Sequence, residues 1–192
     1  MVGSSGRKNV RMMVGGFERE KDDFYATPSK LIRPMLQLER FEGDIWEPAC
    51  GDGALSRELE SVCKNVISTD LIDRGYGLRE IDFLKERTLR APNIVTNPPF
   101  KLWKQFMLHA HALGARKIVL LNRQPILGNK THSKIMAETK MARALIAAGR
   151  VNILPPGAED RGHNARNGDY AWFVWERGYA GDPMLKWFIP KE

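Results

Sequence analysis

Four consecutive residues, Asn97-Pro98-Pro99-Phe100, carry the most specific chemical signal in the sequence. This tetrad follows a short apolar segment, residues 94–96, that is typical of a buried strand. The two prolines restrict the backbone and remove two amide donors, which leaves carbonyl oxygens directed outward. Together with the Asn97 side-chain oxygen, such carbonyls can accept both hydrogens of an amino group conjugated to a ring or a carbonyl. Phe100 offers a face on which an unstacked base can lie.

This arrangement suits one kind of nitrogen chemistry. A conjugated amine is a poor nucleophile because its lone pair is delocalised. Holding its hydrogens out of plane localises that pair and prepares it to attack a methyl sulfonium. Such a transfer needs alignment of nucleophile, methyl group and leaving sulfur, and no metal.

A second candidate site is the turn Glu47-Pro48-Ala49-Cys50-Gly51-Asp52-Gly53. Its two glycines follow a predicted strand and open a predicted helix, so backbone can approach a ligand there without interference from Cβ. A dinucleotide is one alternative, but the third glycine of GxGxxG is missing and the flanking carboxylates disfavour a pyrophosphate. They favour a cationic or hydroxyl-bearing ligand, such as the methionine portion of S-adenosylmethionine. Asp70 ends the next predicted strand and is spaced to bind ribose hydroxyls.

Alternating strands and helices must position these residues. The predicted strands are residues 44–47, 65–69, 94–96, 117–121, 151–154, 170–175 and 185–189. The predicted helices are residues 28–40, with Thr27 as N-cap, 54–62, 102–110 and 134–148, and residues 122–133 form a polar loop. This alternation predicts a parallel α/β sheet with its site at the carboxyl ends of the strands.

Length and composition narrow the class of protein. A chain of 192 residues predicts one catalytic domain, residues 23–192, behind a flexible basic arm, residues 1–22, with no separate target-recognition domain. With 43% hydrophobic and 28% charged residues the composition is that of a globular protein, and no apolar run approaches the roughly 18 residues of a membrane span. Cys50 and Cys63 cannot form a disulfide scaffold or a zinc site, so we expect no metal and a cytoplasmic location.

The positive charge is concentrated after the tetrad. Of a formal net charge of +7, residues 101–167 carry 12 basic and 3 acidic side chains. Solvated helix faces are one interpretation, and a nucleic-acid partner is the other. The predicted phosphate contacts are Lys101, Lys104, Arg123, Lys130, Lys134, Arg161 and Arg166.

The motifs together resemble the class I, S-adenosylmethionine-dependent amino-methyltransferases, most of all small phage-type adenine-N6 DNA methyltransferases. The matching pieces are Phe24-Tyr25-Ala26-Thr27-Pro28, residues 47–53, Asp70, Asp82-Phe83-Leu84 and the tetrad. The resemblance implies a Rossmann-like fold with a mostly parallel seven-stranded sheet and helices on both faces. It also implies S-adenosylmethionine as cofactor and DNA as partner.

The resemblance further implies residue roles. Tyr25, Thr27 and Pro28 would border the methionine end of the cofactor, above a loop formed by Glu47, Cys50, Gly51 and Gly53. Asp70 would hold the ribose, Asp82 the adenine amino group and Phe83 the adenine face. In catalysis, Asn97 and the Pro98 carbonyl would position the target amine, Pro99 would stiffen the loop, and Phe100 would stack the flipped base.

The predicted function is methyl transfer to the N6 amino group of adenine in DNA. Some alternative activities are excluded by the sequence and others are left open. Cytosine-C5 methylation is excluded because its cysteine nucleophile is missing from the tetrad. Protein glutamine methyltransferases share an Asn-Pro-Pro-aromatic tetrad, and RNA adenine is a further acceptor. An inactive nucleic-acid-binding relative would have lost the glycines or the tetrad, and both are intact. Target recognition is left to the basic loops, the arm, a homodimer or another recognition partner, or sequence selectivity is weak.

Overall fold

A computed structural model describes residues 25–153 and 167–190. Its strands are β1 (Ile45–Glu47), β2 (Val66–Ser68), β3 (Asn93–Thr96), β4 (Lys117–Arg123), β5 (Met141–Ala147), β6 (Val151–Asn152), β7 (Asn167–Gly168), β8 (Tyr170–Glu176) and β9 (Met184–Phe188). Its α-helices are α1 (Ser29–Leu38), α2 (Ala54–Leu59), α3 (Trp103–Leu113) and α4 (Lys130–Glu138), with 3₁₀ turns at Phe83–Lys85 and Gln124–Gly128. The predicted arm, residues 1–22, lies outside the described residues.

One sheet organises the described residues, with the strand order β2-β1-β3-β4-β8-β5-β9. β8 runs antiparallel to both of its neighbours, whereas the other pairings in this sheet are parallel. β6 and β7 form a separate antiparallel pair. The parallel strands β1, β2, β3 and β4 therefore all end at one side of the sheet, called the carboxyl edge below. The opposite side is called the amino edge.

Alternating side chains along the strands bury both faces of the sheet. Val95 and Val119 pack with α1 and α2 on one face, and Ile94 and Ile118 pack with α3 and α4 on the other. The indole N–H of Trp172 donates to the Leu31 carbonyl at 2.8 Å and so ties α1 to β8. Helices on both faces of a mostly parallel, seven-stranded sheet confirm the predicted architecture.

The predicted helix over residues 134–148 is wrong in its second half. Helix α4 ends at Glu138, Lys140 adopts a left-handed φ of +56°, and the chain continues as strand β5. The alanine-rich segment favours a helix by intrinsic propensity. Here it lies between β8 and β9, which supply hydrogen-bond partners on both sides, so tertiary context outweighs propensity.

Two further local predictions need correction. The residue at the N-cap of α1 is Pro28 rather than Thr27, and no side chain caps that helix. The predicted loop over residues 122–133 contains a 3₁₀ turn and the start of α4. Asn129 caps α4, because its side-chain oxygen accepts from the amides of Thr131 and His132 at 3.0 and 3.1 Å.

A cluster of four charged side chains closes the amino edge. Lys117 Nζ lies 2.9 Å from a carboxylate oxygen of both Glu39 and Glu176. Arg143 donates to Glu39 at 2.7 Å and to Glu176 at 2.6 Å. The Arg143 hydrogen bond is the main cause that lowers the pKa of Glu176 to about 2. Two of the basic residues in the positive segment are thus neutralised far from the tetrad.

Candidate active site

Asn97 follows β3 directly and is oriented by the segment that precedes α1. Its Nδ2 donates to the Thr27 hydroxyl at 3.0 Å and approaches the Tyr25 carbonyl at 3.5 Å. The donor side of the amide therefore faces residues 25–27, and Oδ1 faces away from them. Thr27 is buried, and its hydroxyl serves Asn97 instead of the helix. The structure thus brings together the predicted residues Tyr25, Thr27 and Asn97.

The rest of the tetrad forms the turn into α3. Pro98 is buried, and Pro99 and Phe100 are partly exposed. The Pro99 carbonyl accepts from the Leu102 amide at 2.7 Å, so this oxygen is used by the turn. Of the two proline carbonyls, Pro98 therefore remains the candidate amine acceptor.

Phe100 lies in a group with Tyr170 and Arg123 that the sequence does not predict. Its ring centroid lies 6.0 Å from that of Tyr170, and the Arg123 guanidinium lies 5.9 Å from the Tyr170 ring. Arg123 and Tyr170 meet because β4 and β8 pair in antiparallel register at these two residues. Nothing local in the sequence indicates that register.

The glycine turn and Asp70 meet at the ends of β1 and β2. Gly51 and Gly53 have left-handed φ values of +56° and +83°, which glycine adopts without steric cost. The Gly51 amide donates to Asp70 Oδ2 at 2.8 Å, and the Ile72 amide donates to Oδ1 at 2.9 Å. Asp70 therefore joins the two strand ends, and its partly exposed carboxylate keeps further acceptor capacity for hydroxyl groups.

Glu47 lies at the end of β1 but faces the protein interior. It is 1% exposed, it accepts a hydrogen bond from the Ser56 hydroxyl, and that hydroxyl lies 2.5 Å from the Ser68 hydroxyl. Burial raises the pKa of Glu47 to about 8, with a further contribution from the Asp70 and Asp52 charges. Cys50 is also buried, and desolvation raises the pKa of its thiol to about 12. The side chains of these two turn residues therefore pack into the protein beneath the turn.

Asp82 is the N-cap of the 3₁₀ turn that begins at Phe83, on the α3 face of the sheet. Asp82 Oδ1 accepts from the Leu84 amide at 3.1 Å, and Lys85 lies 3.1 Å from Oδ2. Phe83 is 2% exposed, and its ring packs edge-on against Trp46 at 5.1 Å between centroids. The predicted adenine contacts at these two residues stay predictions.

Five predicted phosphate contacts share the carboxyl edge, because α3 and α4 begin where β3 and β4 end. All five side chains are exposed: Lys101, Lys104, Arg123, Lys130 and Lys134. Lys134 also lies 3.8 Å from Glu138. Arg161 and Arg166 lie outside the described residues.

Within the described ranges, no three or more His, Cys, Asp or Glu side chains lie together as a metal cluster, and no helix is long and apolar enough to cross a bilayer. His109 contacts the Glu86 carbonyl at 3.0 Å and the Phe83 ring, so it belongs to the packing of α3.

Solved structures of known proteins resemble this fold. No protein-family model matches the sequence, and no curated protein matches it. A type I restriction-modification methyltransferase subunit from Streptococcus thermophilus is 13% identical with a TM-score of 0.57, over 81% of this chain and 45% of that one. The 23S rRNA methyltransferase ErmE is 14% identical with a TM-score of 0.59, over 81% and 70% of the two chains.

A dimethyladenosine transferase from Plasmodium falciparum is 17% identical with a TM-score of 0.53, over 79% of this chain and 61% of that one. The chain spans less than half of the restriction-modification subunit. At such identities the likeness concerns the fold. The described residues have the Rossmann-like class I methyltransferase fold, as the sequence predicts.

Proposed function

We propose that this chain is an S-adenosylmethionine-dependent methyltransferase that acts on the N6 amino group of adenine in DNA. The observation that carries the proposal is the placement of Asn97. Its amide is oriented by Thr27 at the carboxyl edge, beside the strand ends that hold Asp70 and the glycine turn. An amine acceptor and a candidate nucleoside-binding carboxylate thus share one edge of the sheet.

The donor set at the ends of β1 and β2 fits S-adenosylmethionine. Asp70 presents a partly exposed carboxylate for ribose hydroxyls, and the left-handed Gly51 leaves the backbone beside that carboxylate free of a Cβ atom. The partly exposed carboxylates of Asp52 and Asp70 at this edge favour a cation over a pyrophosphate. When bound, the cofactor supplies an electrophilic methyl group on a sulfonium.

The tetrad supplies the complementary half of the reaction. In the proposal, Asn97 Oδ1 and the Pro98 carbonyl accept the two amine hydrogens, which directs the nitrogen lone pair out of the base plane. Phe100 supports the base, and Tyr170 packs beside its ring. These residues would hold the amine nitrogen in line with the methyl group that the cofactor supplies, and the methylated amine would lose one proton to solvent.

Nucleic acid is the preferred acceptor because the exposed lysines of α3 and α4 lie at the same edge as Asn97. Phosphate contacts of this kind supply affinity without reading sequence. The similar structures include a restriction-modification methyltransferase and an rRNA methyltransferase by name, so RNA adenine is the second candidate acceptor.

Incubation with S-adenosylmethionine labelled in the methyl group tests the proposal. The protein is offered DNA, RNA and protein acceptors separately, and the modified product is identified by mass spectrometry. We expect N6-methyladenine in DNA, formed at least about a hundredfold more slowly by Asn97→Ala. Label in RNA adenine would contradict DNA as the acceptor and support methyl transfer to adenine N6. Label on protein glutamine would contradict the proposal as a whole.

The double substitution Lys101→Ala/Lys104→Ala is expected to weaken DNA binding uniformly across sequences. Each lost phosphate contact reduces the steepness of the negative slope of log K against log salt by about 0.9. The binding of the double variant should therefore depend less on salt, with a slope shallower by about 2. Fluorescence anisotropy at several salt concentrations measures it. Arg116→Ala is the matched control, because Arg116 pairs with Glu42 at the amino edge. An unchanged slope in the double variant would remove these lysines from the interface.

A further inference from the structure

Tyr76 lies in a closed loop, residues 70–78, that follows β2. The Leu78 amide donates to the Ser68 carbonyl at 2.8 Å, and the Asp70 amide donates to the Leu78 carbonyl at 2.9 Å. Residues 70–78 therefore leave the end of β2 and return to it. The loop has the candidate ribose ligand Asp70 at its start and Tyr76 near its end.

The Tyr76 ring occupies the space where a side chain on Gly53 would lie. A Cβ built on Gly53 would be 2.5 Å from Tyr76 Cγ and 2.6 Å from both Cδ atoms. Real Cβ atoms do not approach other atoms so closely. Gly53 is thus needed for two reasons, its left-handed φ of +83° and the ring packed against it.

A second contact joins the same loop to the glycine turn. A Cβ on Gly77 would lie 2.6 Å from the Ser68 carbonyl oxygen and 2.9 Å from Cys50 Sγ. The Cys50 thiol itself approaches the Tyr76 carbonyl at 3.6 Å. The loop therefore packs on the turn at two places, Cys50 and Gly53.

Two side chains of the α2 segment hold the Tyr76 ring in place. The phenol donates to Glu60 Oε1 at 2.7 Å, and the Arg57 guanidinium lies 4.7 Å from the ring centroid. Desolvation and the Glu60 carboxylate raise the pKa of Tyr76 to about 12, so the donor is retained at neutral pH. The ring is therefore fixed from one side by α2 and rests on Gly53 with the other.

We propose that Tyr76 is a positioning residue of the cofactor site, whose ring holds residues 50–53 in register with Asp70. The inference rests on the proposed binding of S-adenosylmethionine at this turn. Asp70 accepts from the Gly51 amide at 2.8 Å, so the distance between turn and carboxylate depends on how the turn is supported. Loss of the ring leaves Gly53, a residue of high backbone freedom, without its packing partner.

Tyr76→Ala is expected to raise the Kd for S-adenosylmethionine about tenfold, equivalent to a loss of about 1.4 kcal/mol of binding free energy. The KM for the cofactor should rise in parallel, while kcat at saturating cofactor stays near that of the wild type. Tyr76→Phe keeps the ring on Gly53 and should restore the affinity. Leu78→Ala is the matched control, because its exposed side chain lines the groove beside Tyr76.

Isothermal titration calorimetry measures these affinities without any methyl acceptor. If the wild type binds the cofactor and Tyr76→Ala binds it equally well, this inference alone is overturned. If the wild type binds no S-adenosylmethionine, the proposed function fails and the inference fails with it. Should Tyr76→Ala not fold, Tyr76→Leu carries the same expectation, because it retains apolar bulk but no flat ring.

A double-mutant cycle separates direct contact from general loosening. Gly53→Ala adds a methyl group that must displace the ring, and it also strains the backbone. In a Tyr76→Ala background the displacement is relieved, so Gly53→Ala should raise the Kd by a smaller factor there than in the wild type. Equal factors in the two backgrounds would show that the ring does not act through Gly53.

Discussion

Replacing Asn97 with alanine is expected to lower kcat by about 10²- to 10³-fold, the usual cost of removing one positioned polar group at the reacting atoms. The substitution removes Oδ1, the proposed acceptor of one amine hydrogen, so the nitrogen lone pair is no longer held out of the base plane. The cofactor contacts proposed at Asp70 and the glycine turn are not altered. The Kd for S-adenosylmethionine should therefore change by no more than about threefold.

Single-turnover kinetics and calorimetry check the two halves of this expectation separately. Asn65→Ala is the control, since Asn65 is an exposed asparagine that bonds Asp44. Because Asn97 also donates to Thr27, thermal unfolding must show that the variant keeps its fold. A cofactor Kd that rises as much as kcat falls would assign Asn97 to cofactor binding and contradict its proposed role with the amine.

The tetrad and the glycine turn are predictable from the sequence because each is a run of neighbouring residues. Proline restricts its own backbone, and glycine permits left-handed φ wherever the turn needs it. Their shared edge is also predictable, since parallel strands end on the same side of a sheet. Asp70 follows from the same rule, and its bond to the Gly51 amide agrees with the predicted proximity.

Contacts between distant segments explain what the sequence does not reveal. Thr27 shows the features of an N-cap, and its use by Asn97 depends on the packing of α1 against β3. Tyr170 reaches Phe100 through an antiparallel register that has no local signature. The sequence of strand β5 favours a helix, and its pairing with β8 and β9 makes it a strand. In each case, a partner far along the chain decides the outcome.

The charge cluster at the amino edge is another such feature, and it predicts the largest effect on stability. Glu39→Gln is expected to lower the free energy of unfolding by up to about 3–5 kcal/mol, since it removes one of the two counter-charges of the largely buried Lys117 and Arg143. Glu39 is 3% exposed and contacts both Lys117 and Arg143. Chemical denaturation followed by circular dichroism measures the loss.

Glu42→Gln provides the comparison, because Glu42 forms an exposed pair with Arg116 and should contribute no more than about 1 kcal/mol. Equal losses in the two variants would mean that burial does not strengthen the cluster.

The pH dependence gives an independent check through Glu176, whose folded pKa of about 2 lies below its usual 4.5. This lowered pKa stabilises the fold above pH 4.5, and the contribution is lost as the pH falls toward 2. Glu176→Gln should therefore flatten the acid side of the stability profile, and Glu42→Gln should not.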